Sequence, residues 1–264
     1  MLPLCLDFLT ALSASPPELA GLAAANGCHR ISLHLRRRDD PEDSLFGDTR
    51  MRRETVRRCR DLGVEIDMIE GFELKPGASG ENVEPMLAAG AALGAKGANV
   101  VTRGDDVGIV LDQAGRLCEL AETYGIPVFF EFSRRMTTKT LPEAGDFLKR
   151  LGAPHAKILI DTLHFFRFGG EVSQVATHRD LIGRAQLSDG PREMPDEKQF
   201  DEAYYERLPP GEGALPLLDL LRALPDGVTV GAEVPLRSWE ERGVSAEERV
   251  RHVLAASAAM LAKV

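Results

Sequence analysis

The sequence holds only four cysteines, Cys5, Cys28, Cys59 and Cys118, and no CxxC pair. That spacing supplies neither a zinc knuckle nor a disulfide framework, and it fits free thiols, buried or half-buried, in a reducing compartment. No segment reaches the roughly 18 uninterrupted apolar residues needed to span a bilayer. The apolar start, MLPLCLDFLTALSA, has no basic region and carries Asp7 inside the run, so it reads as a first strand and not as a signal peptide. A glycine-rich phosphate loop, which an open doubly wound sheet would show after its first strand, is missing after Leu9. Linkers, low-complexity tracts and shifts of composition are missing too, so nothing divides the chain into domains. Positive charge is in deficit: 32 Lys and Arg stand against 41 Asp and Glu, a net charge of −9. Such a balance argues against nucleic acid or an anionic membrane as the main partner. The expectation is a cytoplasmic protein with a small-molecule partner, binding neither nucleic acid nor membrane.

What is present is a recurring unit: a short apolar run, a polar or glycine-containing stretch, then a longer segment with helical spacing and a glycine near its end. Candidate strands fall at 3–9, 29–35, 64–70, 98–103, 127–133, 157–162, 184–189 and 228–234. Candidate helices fall at 16–27, 50–63, 82–97, 107–125, 140–152, 172–183, 214–227 and 245–264. Eight units in 264 residues give 33 residues each, the arithmetic of a (β/α)8 TIM barrel forming one domain over residues 1–264. The longest irregular stretch, 189–213, follows the seventh strand, and loops of that length inside a compact domain often serve as lids or substrate walls.

The carboxyl ends of barrel strands share one face, where side chains converge on the axis. The segments PVFFEFS, KILIDT, RAQLSD and VGAEVP put Glu131, Asp161, Gln186 and Glu233 near the ends of the last four strands. One acidic residue at a strand end is more often a helix cap or a solvated loop residue. Three carboxylates and an amide from four successive strands would repel unless protonated or neutralised, and they suit a hard divalent cation such as Mn2+ or Mg2+, with Zn2+ or Co2+ also admissible. His164 and Asp189 stand close to these positions, Asp189 also being a candidate ion-pair partner of Arg192.

The segments FEFS, IDTLHFFRFGG, QLSDGPRE, LPPGEGALPL and GAEVP together resemble the xylose-isomerase-like TIM barrels, which include sugar and sugar-phosphate isomerases, ketose 3-epimerases, inosose dehydratases and some 3-dehydroshikimate dehydratases. The resemblance implies one divalent metal on Glu131, Asp161, Gln186 and Glu233, and an acid/base pair formed by Glu131 and Glu233. It also implies a substrate contact for Arg192. Leu163 takes a place often held by Phe, and Gln186 stands where many epimerases carry His. The implied activity is isomerisation or epimerisation begun by proton removal next to a carbonyl, with dehydration as the alternative outcome of the same first step. A multi-metal phosphodiesterase of the endonuclease IV kind would need a richer histidine set than the six present. A barrel that binds a ligand without catalysing is a third class, favoured if no metal is found.

For the substrate, Arg36, Arg37 and Arg38 follow the second strand, Arg134 and Arg135 the fifth, Arg167 the sixth and Arg192 the seventh. Together they suggest an anionic, polyhydroxylated molecule, contacted by His164, Arg192, Asp189 and Arg134. A homodimer is compatible with this reading.

Overall fold

The computed structural model describes residues 2–35, 44–77 and 83–264. Eight strands, β1 (Leu4–Leu6), β2 (Arg30–His34), β3 (Glu65–Leu74), β4 (Ala98–Thr102), β5 (Val128–Glu131), β6 (Ala156–Asp161), β7 (Ile182–Leu187) and β8 (Thr229–Ala232), run in chain order round a closed barrel. All neighbours pair in parallel, and the ring closes where Leu4, Cys5 and Leu6 of β1 lie in register with Val230, Gly231 and Ala232 of β8. The protein is thus a single-domain (β/α)8 barrel, as the alternation of the sequence predicts.

The helices α1 (Pro16–Ala25), α2 (Arg50–Leu62), α3 (Val83–Leu93), α4 (Val107–Thr123) and α5 (Leu141–Leu151) follow the first five strands. Their ends obey local chemistry. Thr49 Oγ1 accepts from Arg52 N at 3.1 Å to open α2, and Gly63, at φ 64°, closes it in a conformation other residues adopt at a cost. The second half adds short pieces: α6 (Thr162–Arg167), α7 (Val172–Thr177), α8 (Gln199–Tyr205), α9 (Leu217–Ala223), α10 (Arg237–Glu241) and the long closing helix α11 (Ala246–Leu261). The helix expected over 172–183 breaks after α7 into one 3-10 turn, Arg179–Leu181, that leads straight into β7. Among the described residues no helix is long and apolar enough to cross a membrane.

Two strands depart from their expected spans. β1 is shorter because the chain turns after Asp7 into a 3-10 helix, Phe8–Ala11. β3 is longer because Gly71, at φ 109°, lets the strand shift register and resume pairing, Phe72 with Val100 through Leu74 with Thr102.

Most of the core is apolar, but a polar set runs through the barrel itself. Arg184 of β7 is fully buried, and its Nη2 donates to Asp7 Oδ1 at 2.6 Å while its Nη1 pairs with Asp67 of β3. These residues come from non-adjacent strands, so their contact passes through the interior. Gly231 makes the room: a Cβ there would collide with the Asp7 carboxylate. All four cysteines are buried free thiols.

Candidate active site

The register brings the expected residues together. Asp161 ends β6 directly beside Gln186 of β7, Glu131 ends β5, and Glu233 follows β8. Glu131 Oε2 accepts from Asn99 Nδ2 at 2.9 Å, and its Oε1 lies 3.6 Å from His164 Nε2. Asp161 also caps α6, its Oδ1 accepting from Leu163 N at 2.7 Å and His164 N at 3.1 Å. Its Oδ2 accepts from Arg207 Nη1 at 2.7 Å, and that same nitrogen lies 3.1 Å from Glu233 Oε2. Gln186 Nε2 donates to Glu233 Oε1 at 2.7 Å and to Asp7 Oδ2 at 3.1 Å. Ser32 Oγ donates to Glu70 Oε1 at 2.5 Å.

The site is crowded with negative charge. Asp7, Glu70, Glu131, Asp161 and Glu233 are all buried, against two buried guanidiniums, Arg184 and Arg207. Burial pushes the carboxyl groups of Glu70, Glu131 and Glu233 above their ordinary value, Asp7 adding to the rise at Glu70 and Asp161 to those at Glu131 and Glu233. Burial acts in the same direction on Asp161, but the Arg207 guanidinium outweighs it and holds that carboxyl below the usual range. Burial lowers the Arg207 value, and Asp161 and Glu233 more than reverse it.

This donor set fits a hard divalent cation. Ligand atoms of Glu131, Asp161 and His164 lie within 4.8 Å of one another, as do those of Asp7, Glu70 and Glu233. The Gln186 Oε1 atom is buried without a hydrogen-bond partner among the described residues, an acceptor left for a cation. Where three carboxyl groups are pushed towards protonation, a divalent ion can replace the protons.

A cavity of about 480 Å3 opens over these groups, lined by Glu70, Asn99, Glu131, His164, Arg207 and Glu233 among others. A second, of about 370 Å3, lies beyond His164, Ala203 and Tyr204, which line both. Of these, Ala203 and Tyr204 come from the segment after β7, pinned by antiparallel bridges from Asp189 to Leu208 and from Glu206 to Leu236.

His164 thus reaches the cavity. Asp189 and Arg192 do not. Asp189 is buried and accepts backbone N–H groups from Gly190, Gly211 and Leu215, so it organises its own loop and forms no pair with Arg192. Arg192 is exposed, and neither cavity is lined by it. Arg134 lines the second cavity but spends its guanidinium on Asp196, at 2.5 Å, and Gln199. Arg167 is clamped on Glu202 at 2.7 and 2.5 Å. Arg135 stacks on the Phe200 ring, 4.6 Å from its centroid, and meets no carboxylate among the described residues. Arg36, Arg37 and Arg38 lie outside the described residues.

Sequence reasoning missed Asp7, Glu70, Asn99 and Arg207. The first two had a usable signal, since Asp7 directly follows β1 and Glu70 sits late in the expected third strand. Arg207 directly precedes LPPGEG, but only its fold partners reveal its place.

A closed parallel barrel whose carboxyl-end face gathers buried carboxylates under a cavity defines a class of (β/α)8 barrels with a carboxylate-lined pocket at the strand ends. Within that class the chain belongs to the xylose isomerase-like TIM barrel family, whose pattern matches residues 20–259. No curated protein matches it. Among solved structures it is similar to an IolI protein with a bound zinc atom (18% identity, 99% of each chain, TM-score 0.82). It is also similar to the probable 3-DHS dehydratase AsbF of petrobactin synthesis from Bacillus anthracis (16% identity, 97% of this chain and 99% of that one, TM-score 0.80). A third is D-psicose 3-epimerase with D-tagatose from Clostridium cellulolyticum H10 (14% identity, 98% and 99%, TM-score 0.75). At these identities the likeness is one of fold.

Proposed function

We propose that the protein is a metal-dependent isomerase or epimerase that removes a proton next to the carbonyl of a polyhydroxylated, anionic small molecule. The observation that carries this reading is that Glu131 and Glu233, from strand ends three apart in the ring, line one cavity together with His164 and Arg207. Glu131, Asp161, Gln186 and Glu233 would hold Mn2+ or Mg2+, which when bound supplies polarisation of the substrate carbonyl. Zn2+ or Co2+ suits the same atoms.

The chain's own groups do the proton work. Glu131 and Glu233 take and return the proton, and burial moves both carboxyls towards the range in which one group can do either. Asn99 fixes Glu131 through its Oε2. His164 and Arg207 offer N–H donors to substrate oxygens at the cavity wall. Arg135 offers its charge to an anionic group reaching into the second cavity. Return of the proton to the opposite face gives epimerisation, and return to the neighbouring atom gives isomerisation. Loss of a β-hydroxyl instead gives dehydration, the second reading, which the amide of Gln186 in a place where many epimerases carry His favours.

The test is solvent deuterium wash-in at the α-carbon, read by NMR with Mn2+ present, over a panel of ketoses, inososes and 3-dehydroshikimate. Wild-type chain is expected to exchange, and Glu131→Gln and Glu233→Gln to lose exchange while keeping size and one ligand oxygen. Product formed without exchange would refute proton abstraction. Water loss confined to an inosose or 3-dehydroshikimate would assign the dehydratase reading.

A further inference from the structure

All four carboxylate oxygens of Asp161 and Glu233 are engaged. Asp161 Oδ1 holds two backbone N–H groups and Glu233 Oε1 holds the Gln186 amide, while Asp161 Oδ2 and Glu233 Oε2 share one nitrogen, Arg207 Nη1. We infer that Arg207 is the resident counter-cation of this pair, and that the guanidinium and a divalent ion hold Asp161 and Glu233 alternately. The segment carrying Arg207 then sets the metal affinity. This rests on the metal-site reading above.

Of the two groups in the way, Arg207 is the larger obstacle. The Gln186 amide can rotate by half a turn, which exchanges its nitrogen for the partnerless Oε1 and turns a competing donor into a ligand, at the cost of its bond to Asp7 Oδ2. A guanidinium has no such option, because every polar atom on it donates. It carries a full positive charge, and a divalent ion drawing the same oxygens to roughly 2 Å would face that charge at close range inside a buried site. The contest is between two cations for one pair of carboxylates.

Arg207 is mounted so that its withdrawal is felt elsewhere. Its Nε donates to Ala203 O at 2.8 Å, tying the guanidinium to the last turn of α8, and its backbone N donates to Pro235 O at 3.0 Å. Nη1 also reaches Ser188 Oγ and Glu233 O, at 3.2 and 3.3 Å. Ala203 and Tyr204 of the same helix form part of the wall shared by the two cavities. Moving the guanidinium off Asp161 therefore disturbs that wall, which links metal occupancy to the shape of the substrate space.

The test is Mn2+ titration of the full chain by calorimetry and by the EPR signal of free Mn2+, for wild type and Arg207→Gln. The expected result is binding at least about tenfold tighter in the variant, an opposite charge having been removed from the contest. Equal or weaker binding by the variant overturns the inference and makes Arg207 a group that orients the ligands. If wild type binds and the variant gains nothing, the inference fails alone. If neither binds, the metal-site reading fails with it. Should Arg207→Gln not fold, hydrogen exchange on the wild type decides: faster exchange of amides 203–208 on Mn2+ saturation supports displacement, and unchanged or slower exchange refutes it.

Discussion

Replacing Arg184 by Met keeps much of the side-chain volume and removes the charge at the centre of the barrel. Two carboxylates lose a cation: Asp7, fully buried, and Asp67, whose side chain is 12% exposed and which keeps Arg30 Nε at 3.9 Å. Breaking a buried pair by deleting one partner costs about 3–5 kcal/mol. The alternative for a stranded carboxylate is to take up a proton, which for an ordinary aspartic acid at pH 7 costs about 4 kcal/mol, a ceiling for one such group. Asp67 has water and the Thr229 hydroxyl at 3.2 Å to fall back on, so most of the loss comes from Asp7. The expected destabilisation is therefore about 4 kcal/mol. In a chain of this size each kcal/mol moves the thermal midpoint by about 2–4 °C, so the midpoint should fall by roughly 8–16 °C. Calorimetry on wild type, Arg184→Met and the double variant Arg184→Met with Asp7→Asn measures it, and the double variant should recover part of the loss because the fully buried carboxylate is removed along with its cation. A loss below about 1 kcal/mol in the single variant would refute the claim that Arg184 neutralises the interior.

Two further outcomes follow from charge and space. Glu70, Glu131 and Glu233 have folded-state values raised above their unfolded ones, so their contribution is full below about pH 4 and is lost as pH rises through the raised values. The metal-free protein should accordingly show a thermal midpoint that falls as pH rises from the ordinary glutamate range, about 4.3, towards neutrality, with saturating Mn2+ flattening the slope as the ion replaces protons; a midpoint that rises over this range without metal would sink the reading. Gly231→Ala should cost about 1–3 kcal/mol by overpacking against Asp7 and lower the urea midpoint to match, and an unchanged midpoint would mean that the carboxylate has room to move.

The barrel was legible because each β/α unit carries its own punctuation, apolar strands followed by segments that end at Gly63 or Gly152. Glu131, Asp161, Gln186 and Glu233 were legible for a related reason: each sits at or near a strand end, where position along the chain translates into position on the barrel. Arg207 has no such translation. It lies in a loop, 46 residues from Asp161 and 26 from Glu233, and only folding shows that they meet. The arginines of the active face read as a rim for an anionic substrate because their true partners, Asp196, Glu202 and Phe200, sit in the long segment after β7 and carry no periodic signal. Arg184 looked like the start of a strand, and its partners lie 177 and 117 residues away.

The same arginines give the segment after β7 a graded sensitivity to ionic strength. Arg134 with Asp196 is an exposed pair, 47% and 66% accessible, whereas Arg167 with Glu202 is buried at 8% and 2%. Salt at about 1 M shortens the screening length to about 3 Å and weakens the first kind of contact far more than the second. The end of the segment near Asp196 and Gln199 is then released first, while Glu202 acts as a pivot and Arg207 keeps its carboxylates. Loss of that pair would loosen the mouth of the second cavity, which Arg134, Asp196 and Gln199 line, and leave the first, which none of them lines, as it is.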